Sequence, residues 1–269
     1  MHNDAFNESS SNCSLKDKLI FIAGGTGGLG SSTAACLLSQ KAQLIINYIK
    51  DAHKPDQDEG KVLQKKLHDI YGSEAILIEA DISTQKGRDA CLETVKSTKQ
   101  PLYAFICFVG KAVRIPFTEI TDKELLESFQ INTVSPILLA RDFYPFLKLS
   151  IPEAAIIFIS SMQAVIPFSH SIPYALPKFC LHHAAKILAK EWSGRGGIRV
   201  NVVAPGVNEA GMALASIQAG KYKKYIEKNA IPRYGKAEDI ARAISFLIQP
   251  DNYITGQILT VDGGLTLNA

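Results

Sequence analysis

No run of this chain is apolar for long enough to cross a bilayer as a helix, and its first residues carry no signal-peptide core. It has no dense block of Lys and Arg, and a net charge of +3 is too small to hold a polyanion. Both absences argue against a membrane or a nucleic-acid partner. The five cysteines, Cys13, Cys36, Cys91, Cys107 and Cys180, are odd in number and contain no Cys-x-x-Cys pair. Three lie in apolar segments, so buried free thiols in a reducing compartment are expected, and with them a cytoplasmic location. No His/Cys/Asp spacing suggests a metal site. A Pro/Gly/Ser linker, a composition shift and a repeat at solenoid periods are all missing too. Residues 1–14, polar and rich in Asn and Ser, read as a loose tail, and 15–269 as one domain.

What is present is an ordinary globular mix, 46% hydrophobic and 20% charged, able to bury a sizeable core. Short β-branched runs at 19–23, 43–48, 75–79, 102–108, 155–159, 198–203 and 257–261 read as strands. Helical stretches alternate with them at 28–39, 58–71, 85–98, 122–147, 173–193, 212–229 and 237–248. That alternation predicts an α/β fold: a doubly wound seven-stranded parallel sheet with helices on both faces. Its ligand crevice belongs at the carboxyl ends of the strands.

At the first strand end stands Gly24-Gly-Thr26-Gly27-Gly28-Leu29-Gly30, between an apolar strand and a helix start. Glycines permit the sharp turn and close approach of backbone to a pyrophosphate, and the helix N-terminus offers N–H groups and partial positive charge. The bland alternative is a merely flexible turn. The second strand ends in Tyr48 where a ribose-binding carboxylate would favour NAD, and Lys50, His53 and Lys54 follow. Those residues point to NADP(H) over NAD(H), against an ordinary solvated loop. Asp81 closes the third strand, placed either to accept from an adenine amino group, with Ile82 packing on the ring, or to cap the next helix.

Farther on, Ser161 ends a strand, and Tyr174 and Lys178 share one helix face a turn apart. Tyr144 and Lys148 have the same spacing without that context. A phenol with a reference pKa of ~10 needs a neighbouring cation to work as a base near neutrality, and Lys178 supplies one. Asn201-Val-Val-Ala-Pro205-Gly206 follows. From about residue 15 to 265 the chain resembles a classical short-chain dehydrogenase/reductase, on the glycine cluster, Asn132, Ser161, Tyr174, Lys178 and the Asn-x-x-x-Pro-Gly segment. Ile231-Pro-Arg-Tyr-Gly, Tyr253-Ile-Thr-Gly-Gln and Val261-Asp-Gly-Gly are most similar to the tail of 3-oxoacyl-acyl-carrier-protein reductases.

The resemblance implies a Rossmann fold, a homotetramer and hydride transfer to a carbonyl. Tyr174 would be acid/base, Ser161 would polarise the carbonyl, and Lys178 would lower the Tyr174 pKa and bind the nicotinamide ribose. Asn132 would hold a water in a proton relay. Pro205, Gly206 and Val207 would edge the nicotinamide, and 206–230 would form the substrate lid. The substrate would be a small carbonyl compound carried on acyl-carrier protein or CoA, with steroid, sugar and pteridine carbonyls open.

The pattern breaks in three places. Cys107-Phe108-Val109-Gly110 stands where the family has Asn-Asn-Ala-Gly. Gly110 preserves close approach to the cofactor, and Phe108 either packs on the adenosine ribose or joins the core. Ala210 replaces the Thr that usually holds the carboxamide, and Gly27 a basic residue common in NADP-dependent members. Lys221, Lys223 and Lys224 either attract an acidic carrier or form a solvated face. His170 reads as substrate contact or polar loop, and His182 and His183 as packing or subunit contacts. A cofactor-binding sensor or scaffold without turnover is the rival function.

Overall fold

The computed structural model describes residues 15–50, 58–72, 75–192, 194 and 197–268. The tail at 1–14, with Cys13, and the cations His53 and Lys54 lie outside them. Seven parallel strands form one sheet: β1 (Leu19–Ala23), β2 (Gln43–Tyr48), β3 (Ile76–Glu79), β4 (Leu102–Cys107), β5 (Ala155–Ile159), β6 (Arg199–Pro205) and β7 (Ile258–Val261). Their order is β3-β2-β1-β4-β5-β6-β7, so the winding reverses between β1 and β4. Between and after the strands run the helices α1 (Gly28–Ser39), α2 (Glu59–Tyr71), α3 (Gln85–Ser97), α4 (Asp122–Phe129), α5 (Ser135–Leu147) and α6 (Ile172–Trp192). Next come the short α7 (Leu214–Gln218) and α8 (Lys223–Glu227), then α9 (Ala237–Leu247) and α10 (Leu265–Asn268).

The period of two in the central strands splits the core into two layers. Ile20, Ile22, Ile157 and Ile159 face α1 and α9, with Leu37, Ile240 and Ile244. Phe21, Phe105, Ile156 and Phe158 face the other way, with Phe143 and Leu181. Central β1, β4, β5 and β6 are buried along their whole length, whereas edge strands β3 and β7 are partly exposed, as a sheet covered on both faces requires.

Two expected helices differ. The stretch 122–147 is continuous, but a π turn spans Gln130–Val134. Pro136 has no N–H to give to the carbonyl one turn back, and the Ser135 N–H and hydroxyl both reach Gln130 O instead. The stretch 212–229 is not one helix: a 3-10 turn at Gly211–Ala213 leads into α7, and Gly220 at φ +75 separates α7 from α8. The segment after β7 also closes into α10, which the periodicity did not announce. Among the described residues no helix is long and apolar enough to cross a membrane.

Candidate active site

A cavity of about 650 Å³ opens where the winding reverses. At one end β1 stops at Ala23 and Gly24 turns the chain with φ +70, a region closed to most side chains. Helix α1 then starts at Gly27 with no side-chain cap and no acidic residue in its first turn, so its N–H groups and partial positive charge are left for an anion. Thr26, Gly27, Gly28 and Leu29 line this end. A Cβ on Gly28 would lie 2.7 Å from the Gly211 nitrogen, so the loop after β6 crosses directly over the helix start. A pyrophosphate fits this cradle in both shape and charge.

At the end of β2, Tyr48 lines the cavity and its hydroxyl donates to Asp58 Oδ1 at 2.8 Å. Burial and that carboxylate push its pKa up to about 12. Lys50 does not reach the cavity wall. It lies 2.9 Å from Glu79 and 3.5 Å from Asp58, so two carboxylates already answer its charge. Asp81 is exposed and outside the wall, accepting from Ser83 N at 2.9 Å. The expected capping role falls to Thr84, whose hydroxyl accepts from Gly87 N at 3.0 Å and holds the first turn of α3. Ile82 is buried and does line the cavity. Phe108 lines the cavity and packs partly buried on the α1 layer, as its core reading expected.

The opposite end gathers three of the four expected catalytic residues in the wall. Ser161, Tyr174 and Lys178 line it, and Asn132 stands behind; each is at most 9% exposed. Ser161 follows β5 and its hydroxyl lies near enough to the Tyr174 phenol to affect its ionisation. Tyr144 instead stacks obliquely on Trp192 at 4.9 Å, far from any cavity role. Lys178 Nζ donates to Val109 O at 3.1 Å and to Ile159 O at 2.9 Å. Burial lowers its pKa to about 8, partly offset by the neighbouring Cys107. Tyr174 is raised to about 12, first by burial, with Ser161 opposing and Tyr222 adding. The expected lowering of the Tyr174 pKa by Lys178 is thus not produced by the protein's own groups; desolvation of the phenolate outweighs them.

Asn132 is fully engaged. Its Oδ1 accepts from Lys111 N at 3.0 Å, and Nδ2 donates to Lys111 O, Ser128 O and Ser128 Oγ. The π turn therefore clamps the loop after β4. Gly110 is where these meet: a Cβ there would fall 2.8 Å from Lys178 Nζ and 2.9 Å from Asn132 Oδ1. Its close approach is to those two side chains. Pro205, Gly206, Val207 and Ala210 line the cavity after β6, and Asn208 Nδ2 braces the turn through Gly206 O.

Several residues at this end escaped the sequence reading. Ser160 donates to Lys178 O at 3.1 Å and lies 2.7 Å from His182 Nε2. A hydroxyl has one proton, so with it given to the carbonyl, His182 must be the donor through Nε2–H. Burial lowers the His182 pKa to about 4, keeping the ring neutral. His182 is therefore an internal tie between β5 and α6, while His170 stays outside the cavity wall. Arg114, Lys221 and Tyr222 also line this end, and Arg114 Nη2 is 3.5 Å from the Tyr222 hydroxyl. Lys223 instead pairs with Glu227 at 3.0 Å, and Lys224 lies over the Tyr225 ring. Only the fold separates these lysines, because all three sit in one short basic run.

Comparison with known proteins agrees with this geometry. A family model described as Enoyl-(Acyl carrier protein) reductase matches residues 23–266. The chain is 31% identical over 249 residues, covering 92% of itself and 98% of its relative, to Uncharacterized oxidoreductase YmfI of Bacillus subtilis. It is 30% identical over 253 residues to Glucose 1-dehydrogenase of Gluconobacter oxydans, covering 93% and 92% of the two chains. A solved short-chain dehydrogenase/reductase from Serratia marcescens superposes with TM-score 0.83 at 26% identity, covering 94% of this chain and 99% of the other.

Proposed function

The chain belongs to the short-chain dehydrogenase/reductase family, and from that premise we propose that it reduces a carbonyl, with Tyr174 as proton donor and NADP(H) preferred over NAD(H). It is an oxidoreductase acting on CH–OH groups with a nicotinamide cofactor. The observation that carries the catalytic assignment is the placing of Ser161, Tyr174 and Lys178 together in the wall of the cavity that begins at the α1 N-terminus.

A cofactor's pyrophosphate would sit on the backbone from Gly24 to Gly30, and its adenosine beside Tyr48, Ile82 and Phe108. Val207 and Gly206 would flank the nicotinamide. When bound, the reduced nicotinamide supplies the hydride. Tyr174 gives the carbonyl oxygen its proton, and the Ser161 hydroxyl donates to the same oxygen as negative charge builds there. Lys178, held by two backbone carbonyls, keeps one N–H free for a sugar hydroxyl. A positive charge brought beside Tyr174 would draw down a pKa that burial holds at about 12. Asn132 fixes the floor of this arrangement through Lys111; a relay through its side chain has little support, since Lys111 and Ser128 engage both of its polar atoms.

The absent carboxylate at the end of β2 supports NADP(H), but Lys50 is tied to Glu79 and Asp58 and Glu59 lines the same end, so the margin is small. A 3-oxoacyl thioester is the first substrate to test, on the carboxyl-terminal motifs. Those motifs, however, hold structure: Thr255 Oγ1 accepts from Val200 N, and Asp262 accepts from Gly264 N and Thr266 N. They report how β7 and α10 are pinned more than what is bound. Residues 206–230 are proposed as the lid over the substrate. Exposed Leu126, Leu176 and Phe179 on α4 and α6 support the homotetramer, and free buried Cys91 and Cys107 a reducing cytoplasm.

NADPH oxidation with an acetoacetyl thioester, compared between the wild type and Tyr174→Phe, tests the reading. Undiminished turnover in the variant would refute the proton-donor role, and no turnover in the wild type would leave the sensor or scaffold alternative standing.

A further inference from the structure

The reacting end of the cavity has a charge imbalance. Arg114 comes from the loop after β4 and Lys221 from the turn between α7 and α8, so two distant segments bring cations to one mouth. Neither has a carboxylate partner among the described residues. Cations close by in the fold are answered: Lys111 by Glu127 at 2.9 Å, Lys223 by Glu227 at 3.0 Å, and Arg233 by Asp239 at 2.7 Å. Among the described residues the one carboxylate in the cavity wall, Glu59, stands at the start of α2, at the end that Tyr48 lines.

Between the two cations stands Tyr222. It is buried, accepts from Arg114 at 3.5 Å, and lies close enough to Tyr174 to affect its ionisation. Lys221 in turn lies over the Tyr222 ring at 5.9 Å. The Lys221 pKa is lowered first by desolvation and then by repulsion from Arg114. Both cations are exposed, so water screens their mutual repulsion, and their charge is available to an anion at the cavity mouth. The cofactor's pyrophosphate is already provided for by the N–H groups of α1.

We propose that the substrate is an anionic carbonyl compound, its carboxylate or phosphate held by Arg114 and Lys221 while its carbonyl meets Ser161 and Tyr174. The proposal rests on the reductase reading and narrows it. Neutral sugars and apolar ketones become poor substrates. A fork from Arg114 would bind the anion in a plane, and Lys221 would add a second point of charge. The Tyr222 hydroxyl, freed from Arg114, would complete the contact.

Two matched substrate pairs separate the sources of the anion. Acetoacetate is compared with methyl acetoacetate, and acetoacetyl phosphopantetheine with acetoacetyl N-acetylcysteamine, which lacks the phosphate. In at least one pair the anionic member should lead in kcat/KM by about tenfold or more. Arg114→Met and Lys221→Met should each cut that ratio by about fivefold or more, while Lys223→Met, outside the cavity wall, keeps it. A neutral member that equals or beats its anion in both pairs overturns the proposal.

If no carbonyl is reduced with either cofactor, the reductase reading fails on these substrates, and binding decides the anion site separately. Calorimetric titration of NADPH-loaded protein with malonate and with methyl phosphate should give affinity for one of them that falls about tenfold in Arg114→Met. Equal affinities in wild type and variant, or no binding of either ion, would overturn it.

Discussion

The two ends of the cavity hold their charges by different means. At the reacting end Lys178 and Asn132 are fixed by backbone, Lys178 by the carbonyls of Val109 and Ile159 and Asn132 by both polar groups of Lys111. At the adenosine end Lys50 and Tyr48 are fixed by side chains, through Asp58 and Glu79. Backbone partners are present whatever the sequence, provided the strands end where they do. Side-chain partners exist only if particular residues sit on other elements. The first end is therefore rigid and readable as a motif, and the second can be retuned by single substitutions.

The largest effect should come from breaking the rigid end at its proton donor. Tyr174→Phe is expected to lower kcat by about 10³-fold with any accepted carbonyl, measured by NADPH oxidation. Lys178→Met should lower kcat/KM by about 10²-fold and leave two buried carbonyls without a donor, costing about 1–3 kcal/mol in urea unfolding. It should also change the pH dependence. In the folded protein the Lys178 pKa drops from 10.5 to about 8, so the unfolded chain binds more protons between those values. Stability from this group rises with pH across that window. A wild-type rise between pH 8 and 9.5 no steeper than that of Lys178→Met would show that the amine is not desolvated.

Next in size is the tie behind the catalytic helix. Ser160→Ala should lower kcat by about tenfold with KM for the carbonyl little changed, because the hydroxyl is given to Lys178 O and positions the Lys178 turn. His182 carries its own signature on the acid side. Its folded pKa is lowered from 6.5 to about 4, so the unfolded chain binds the extra proton and stability falls as pH drops through that range. His182→Leu should flatten this part of the stability curve; an unchanged slope would place the acid sensitivity elsewhere.

The smallest effect belongs to the side-chain end. Glu79→Gln removes the nearer partner of Lys50 and should raise NADPH affinity by about twofold to fivefold relative to NADH, as expected for an exposed pair. A shift of a hundredfold would mean that this end is as tightly built as the other.

Much of the fold was legible because the central strands are apolar on both faces and their bounds follow burial directly. The starts of α1, α3 and α4 and the ends of β1, β2 and β5 fall where the pattern places them. The proposed catalytic group was legible for the same reason: Ser161 is set by the end of β5, and Tyr174 and Lys178 by one turn of α6. The lid was not. Its residues from Met212 to Asn229 carry a helical composition, yet Gly220 in the left-handed region and the thin apolar cluster of Tyr222, Val207 and Ile231 allow only short pieces. Asp81 and Lys50 were assigned by position alone, and each was claimed by a neighbour that position does not reveal.

Residue order alone settled the doubly wound sheet, the glycine cradle and the Ser161–Tyr174–Lys178 group, because each depends on spacing within one or two adjacent elements. Which cations stay unpaired, which hydroxyl holds the Lys178 turn, and whether burial or charge governs the Tyr174 proton were decided only by the packed chain. Those outcomes depend on partners far apart in sequence and on how much water is excluded between them.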